Sequence, residues 1–133
     1  PLSSMSPSFV ISDERVGILG TPGGSRIISM VLLGILHLMD GGGAQSTADL
    51  PRIHHQYLPD VVSIEEGALS VEAQADLRER GYQLETGRDT WGNMQVVVWN
   101  RLTGAVEAGA DGRWKDVGKG STGDESDDDK IFR

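Results

Sequence analysis

Two adjacent glycines, Gly23 and Gly24, stand between a short β-type run, Val16 to Leu19, and the longest apolar stretch of the chain, Ile27 to Met39. A strand that meets a helix through glycines makes a tight corner and leaves the first helical amides unpaired and uncovered by side chains. The helix dipole favours negative charge at that place. Thr21-Pro22-Gly23-Gly24-Ser25-Arg26 therefore reads either as an anion site built from backbone or as a plain strand-to-helix turn. The segment lacks the Lys-Ser/Thr of a phosphate loop and the G-x-G-x-x-G spacing of a dinucleotide turn, which argues against a nucleotide. A transient oxyanion needs only backbone donors, and such a turn supplies them.

The elements around this corner follow from pattern. Phe9-Val10-Ile11 and Val16 to Leu19 flank the polar Ser12-Asp13-Glu14-Arg15 and read as a hairpin. Ser25 to Asp40 carries apolar residues nearly all round, which predicts a core helix covered on most sides, ended by Gly41-Gly42-Gly43. Ser46 to Leu50 is a short helix that Pro51 stops, and the chain then crosses to a strand at Val61 to Glu65. Ser70 can cap a helix from Val71 to Arg80, with Gly81 as its stop. Tyr82 to Thr86 is a strand, and Met94 to Trp99 with Gly104 to Ala108 forms a second hairpin. The order β-β-α-β-α-β-β-β predicts an α+β fold, a mostly antiparallel sheet with helices packed on it. Residues 1–117 form the folded portion, and the polar, acidic stretch 118–133 is expected to be a flexible tail.

Composition removes several functions. The 133 residues carry a net charge of -8 with Lys and Arg scattered, so a nucleic-acid partner is not expected. There is no cysteine, which excludes disulfides and thiolate chemistry. The apolar run is broken by Ser29, Gly34 and His37 and is shorter than the roughly 20 residues of a membrane span. The absence of an initiator methionine before Pro1 predicts a start within a longer protein.

The polar candidates divide between chemistry and structure. Ser3-Ser4 is a hydroxyl pair that binds a carboxylate or a polar lead-in to the first strand, and no general base beside it makes either serine a nucleophile. His54 and His55 point to opposite sides of an extended segment and lack a third ligand, so they predict hydrogen bonding and no metal site. His37 reads as a satisfied core histidine, and Asp111 with Arg113 as an ion pair or a loop contact. The acidic run Asp127 to Asp129 is a solvated tail, and Trp91, Trp99 and Trp114 are packing residues.

Three segments carry a resemblance: Pro1-Leu2-Ser3-Ser4-Met5-Ser6-Pro7, Thr21-Pro22-Gly23-Gly24-Ser25-Arg26-Ile27-Ile28 and Pro51-Arg52-Ile53-His54-His55-Gln56. In this order they resemble γ-glutamyltranspeptidases, also called glutathione hydrolases. Gly109-Ala110-Asp111-Gly112-Arg113 looks like that family's C-terminal turn, with Gly112 in place of a proline. The resemblance implies an N-terminal nucleophile hydrolase, autoprocessed into a large and a small subunit that pack as an αββα sandwich. This chain would be the C-terminal part of the small subunit, with the large subunit and the rest of the small subunit as partners. The family's nucleophile, a threonine at the start of the small subunit, would lie upstream of Pro1, so the chain alone is expected to be inactive. Ser3 and Ser4 would bind the α-carboxylate of the γ-glutamyl group, and Gly23 and Gly24 would form the oxyanion hole. The acyl group would pass to water or to an amino acid or peptide amine, without metal or cofactor, in a periplasmic or secreted protein. Two other readings stay open: an acylase for another amide, such as a cephalosporin side chain, and a non-catalytic carboxylate-binding or scaffold module.

Overall fold

The structure, a computed structural model, describes residues 6–87 and 90–113. Ser3, Ser4, Trp114 and the expected tail 118–133 lie outside the described residues. Strand β6 (Gln95–Asn100) shows how the main sheet is built, because its alternation sends Val96 and Val98 inward and Gln95, Val97 and Trp99 outward. It pairs antiparallel with β2 (Arg15–Gly20) on one side and β7 (Val106–Ala110) on the other, and β1 (Ser8–Ile11) adds to β2. The order β1-β2-β6-β7 makes a four-stranded antiparallel sheet from the two hairpins that the sequence predicts.

Helix α1 (Ile27–Met39) lies on the inner face of this sheet. Its Ile27, Met30, Val31 and Leu38 join Leu19, Val96 and Val98 in one core, which α2 (Ala44–Ala48) closes with Ala44 and Ala48. The expectation of a helix covered on most sides is corrected here. Ile28, Leu32, Leu36 and Met39, spaced by four, four and three residues, form an exposed stripe, because the sheet covers only the opposite side of α1. His37 is likewise not a core residue. It is half-buried near the end of α1, with Nε2 3.1 Å from Ser46 Oγ.

A second, three-stranded sheet has the order β3-β4-β5. Its strand β3 (Ile53–His54) falls within the segment that the sequence reads as a crossing, and pairs antiparallel with β4 (Val62–Glu65). Helix α3 (Val71–Glu79) then carries the chain over to β5 (Leu84–Gly87), which lies parallel to β4. Ser70 caps α3 as expected, its side chain accepting from Ala73 N at 3.2 Å. In the last hairpin β7 starts two residues later than expected. Asn100 N donates to Ala105 O, and Gly104 N to Asn100 O, so the turn takes up Gly104 and Ala105.

Candidate active site

Strand β2 ends at Gly20, and Thr21 and Pro22 lead into the glycine pair. Gly23 has φ 152° and Gly24 φ 60°, conformations that L side chains adopt only with strain. A 3-10 turn over Gly24–Arg26 then opens α1, with Arg26 N donating to Gly23 O at 3.2 Å and Ile27 N donating to Gly24 O. Both glycines are exposed and use their carbonyls in these bonds, while their amides have no acceptor among the described residues. A methyl group placed on Gly24 would meet nothing within 4 Å, whereas one on Gly23 would run into Met30 Cε at 2.4 Å. Gly24 thus faces open space, and Gly23 is backed by α1.

The turn is held from behind by residues 91–93. Asn93 N donates to Thr21 Oγ1 at 3.0 Å. Gly92 has φ 82°, and a Cβ on it would stand 2.5 Å from Met30 Sδ, 2.8 Å from Arg52 Nη1 and 2.9 Å from Thr21 Oγ1. Only glycine lets the backbone approach this closely. Trp91 is buried, and the Arg26 guanidinium lies 4.6 Å from its ring centroid, so the residue that follows the turn stacks on the segment that supports it.

That segment is fastened by a closed network of two guanidinium groups and two carboxylates. Arg52, 1% exposed, donates to Trp91 O and pairs with Asp111. Asp111 also accepts from Met94 N at 3.1 Å and from Arg113 Nη1 at 2.9 Å. Arg113 Nη2 reaches Glu65 Oε2 at 2.6 Å, and Glu65 in turn accepts from the amides of Arg52 and Trp91 at 3.0 and 3.3 Å. Burial alone would raise the Asp111 carboxyl. The amides of Arg113 and Met94 and the two guanidinium groups outweigh it and hold Asp111 below the usual carboxylate range. Burial depresses the Arg52 guanidinium against the pull of Asp111, while for Arg113 the pairing with Glu65 and Asp111 outweighs burial and raises it. The Asp111–Arg113 pair is the one the sequence anticipates, whereas Arg52 and Glu65 join it only through the fold.

On the other flank His54 ties α1 to β3. Gln56 Nε2 donates to Leu58 O at 2.7 Å, which leaves Gln56 Oε1 to accept from His54 Nε2 at 3.1 Å. Nδ1 of His54 is then the acceptor for Ser29 Oγ at 2.9 Å. His55 points the other way, with Nε2 2.8 Å from Asp60, so both histidines make the hydrogen bonds expected of them. Two concavities adjoin the turn. An apolar groove of about 640 Å³ runs along the outer face of the sheet past Ser6, Pro7, Thr21 and Pro22. A polar cavity of about 250 Å³ is lined by Ser25, Arg26, His54, Gln56 and Ser63 among others.

An antiparallel sheet that ends in a strained glycine turn and passes directly into a packed helix makes an α+β unit, and its likeness to solved structures gives its class, that of the N-terminal nucleophile hydrolases. Solved structures of that class superpose on it: an acivicin-inhibited γ-glutamyltranspeptidase matches with a TM-score of 0.76 and 34% identity, covering 86% of this chain and 63% of that one. The chain belongs to the γ-glutamyltranspeptidase family, whose description matches residues 1–121. Among curated relatives, the glutathione hydrolase proenzyme of Pseudomonas sp. (strain A14) is 47% identical over 83 residues, or 61% of this chain. The proenzyme of Pseudomonas aeruginosa is 35% identical over 122 residues, or 88% of this chain. The chain spans 14% and 21% of the length of these two relatives.

Proposed function

We propose that this chain is the C-terminal part of the small subunit of an autoprocessed γ-glutamyl acyltransferase or hydrolase, and that Gly23 and Gly24 donate to the oxyanion of its tetrahedral intermediates. The observation that carries the reading is the pair of exposed glycines whose amides have no acceptor among the described residues, in a turn fixed from behind by residues 91–93. Donors held in place before the reaction stabilise charge that develops only in the transition state, and so raise kcat rather than substrate affinity. In the parent protein an N-terminal threonine, supplied from outside this chain, attacks the γ-carbonyl with its own α-amine as base. The carbonyl oxygen takes up negative charge against the glycine amides, the amine of the leaving group departs with a proton, and the acyl-enzyme passes to water or to an amino acid or peptide amine.

Ser3 and Ser4 complete the donor site by holding the α-carboxylate of the glutamyl group. The groove lined by Ser6 and Pro7 together with Thr21 and Pro22 supports this, since it sets the residues that follow the serine pair in sequence beside the turn. A periplasmic or secreted location is part of the same reading. The test is release of nitroaniline from γ-glutamyl p-nitroanilide by the full processed protein and by the Gly24→Ala variant. The methyl group has room but points into the open space before the turn. The substitution leaves the amide in place but crowds the space that the substrate carbonyl must enter and strains the φ 60° turn, and a displacement of about 1 Å between donor and carbonyl is expected to lower kcat by roughly 10²-fold. An inactive full protein rejects γ-glutamyl transfer, and an unimpaired Gly24→Ala variant rejects the oxyanion role.

A further inference from the structure

The two glycine amides of the turn are aimed by different means. Gly24 N belongs to the Gly23–Gly24 peptide, whose carbonyl accepts from Arg26 N at 3.2 Å, so the backbone of the turn fixes it. Gly23 N belongs to the Pro22–Gly23 peptide, whose carbonyl accepts from a side chain, Thr21 Oγ1, at 2.9 Å. We propose that Thr21 is a positioning residue for the oxyanion donor at Gly23, its hydroxyl holding the peptide unit that carries the amide. This role rests on the γ-glutamyl transfer reading above.

Thr21 follows the last residue of β2 and is 3% exposed, so its hydroxyl acts away from water. A hydroxyl has one proton to donate. Thr21 Oγ1 accepts from Asn93 N at 3.0 Å, which leaves that proton for Pro22 O. The bonds form a relay from the Asn93 N–H through the hydroxyl to the Pro22 carbonyl, and the same peptide unit ends in the Gly23 N–H. In a trans peptide, as this one is, the carbonyl and the N–H point in opposite directions. A carbonyl drawn toward the buried hydroxyl therefore turns the N–H toward the exposed side, where Gly23 lies. Linked hydrogen bonds also polarise one another, which makes this N–H a stronger donor as well as a fixed one.

The Pro22–Gly23 peptide needs such an anchor. Proline fixes its own φ but leaves ψ open, and glycine leaves φ open, so the unit between them is able to rotate with little movement of its neighbours. Rotation by half a turn would send the N–H inward and present the carbonyl, the negative end of the peptide dipole, to the developing oxyanion. Pro22 O has no other donor among the described residues, so the Thr21 hydroxyl is what opposes that rotation.

The experiment measures kcat and KM for γ-glutamyl p-nitroanilide with the full processed protein and with its Thr21→Val and Thr21→Ser variants. Valine keeps the shape of the side chain and loses the hydroxyl, whereas serine keeps the hydroxyl and loses only a methyl group. Thr21→Val is expected to lower kcat by roughly tenfold with KM little changed, less than the loss of a whole donor, because the amide remains but is free to turn. Thr21→Ser should keep kcat close to the wild-type value. With kcat taken per processed molecule, a smaller yield of folded protein does not enter the comparison. A wild-type kcat in Thr21→Val overturns the role, and so does a change confined to KM. A Thr21→Ser variant that loses as much as Thr21→Val overturns it too, since the methyl group and not the hydroxyl would then hold the turn. If Thr21→Val fails to mature, Thr21→Cys decides, its thiol being only a weak donor. A lowered kcat at unchanged KM then supports the role, and a wild-type kcat rejects it. A wild type that releases no nitroaniline overturns the transfer reading itself, whereas an active protein impaired by Gly24→Ala but not by Thr21→Val overturns the role of Thr21 alone.

Discussion

Asp111 is the residue on which the support of the glycine turn depends, because it neutralises Arg52 and binds Arg113 and Met94 N at once. A buried guanidinium is tolerated only when paired, and removal of one partner from a buried ion pair usually costs about 3–5 kcal/mol. Asp111→Ala is expected to destabilise the full protein by that amount in urea unfolding and to weaken catalysis by loosening residues 91–93. The pH dependence follows from the lowered carboxyl of Asp111. Its native value lies below the unfolded value of about 3.9, so its contribution is complete above that pH and is lost as pH falls toward the native value. Asp111→Asn should therefore be less stable at neutral pH and should show a shallower loss of stability below about pH 4. An acid limb of unchanged slope would remove Asp111 from that role.

Among the elements, α2 and β7 approach so closely that backbone faces backbone at Gly109. A Cβ on Gly109 would lie 2.4 Å from both C and O of Ala44 and 2.5 Å from Gln45 N, and backbone atoms have little freedom to give way. Gly109→Ala should cost about 1–3 kcal/mol of overpacking, and more where α2 must lift from the sheet. Thermal unfolding of the variant measures this, and an unchanged midpoint would show that α2 is loosely seated. Both hairpins, the cap at Ser70 and the glycine turn were legible in the sequence because each has a local signature: alternation, a capping hydroxyl, or a Gly pair before an apolar run. Elements set by distant partners were not. Strand β3 has only two residues and exists because β4 pairs with it. Arg52 and Glu65 meet Asp111 and Arg113 through tertiary placement, which no local pattern encodes. Helix α1 misled for another reason, since apolar residues on every side reveal what a helix is able to bury and not what covers it.

For the whole molecule, the decisive feature is what the main sheet leaves uncovered. On its outer face Phe9, Ile18 and Val97 stand in one cross-strand row, and Ile11, Val16, Trp99 and Val106 in another, and all of these but Val16 are exposed. Two such rows on one face make a contiguous apolar surface, which soluble proteins keep small unless it is an interface. On the reading of this unit as one half of an αββα sandwich, that face would receive a second sheet, about 10 Å away. The chain produced alone should therefore self-associate, with sedimentation coefficients that rise with protein concentration. Its net charge of -8 opposes this, so added salt should strengthen association by screening the repulsion, the Debye length shrinking from about 10 Å at 0.1 M to 3 Å at 1 M. Ile18→Glu, at the centre of the first row, should abolish the self-association because it would place an unpaired carboxylate in the buried middle of the contact. The same substitution in the full protein should impair assembly of the sandwich. An isolated chain that stays monomeric at every concentration and salt level would show that the exposed rows are not by themselves an adhesive surface.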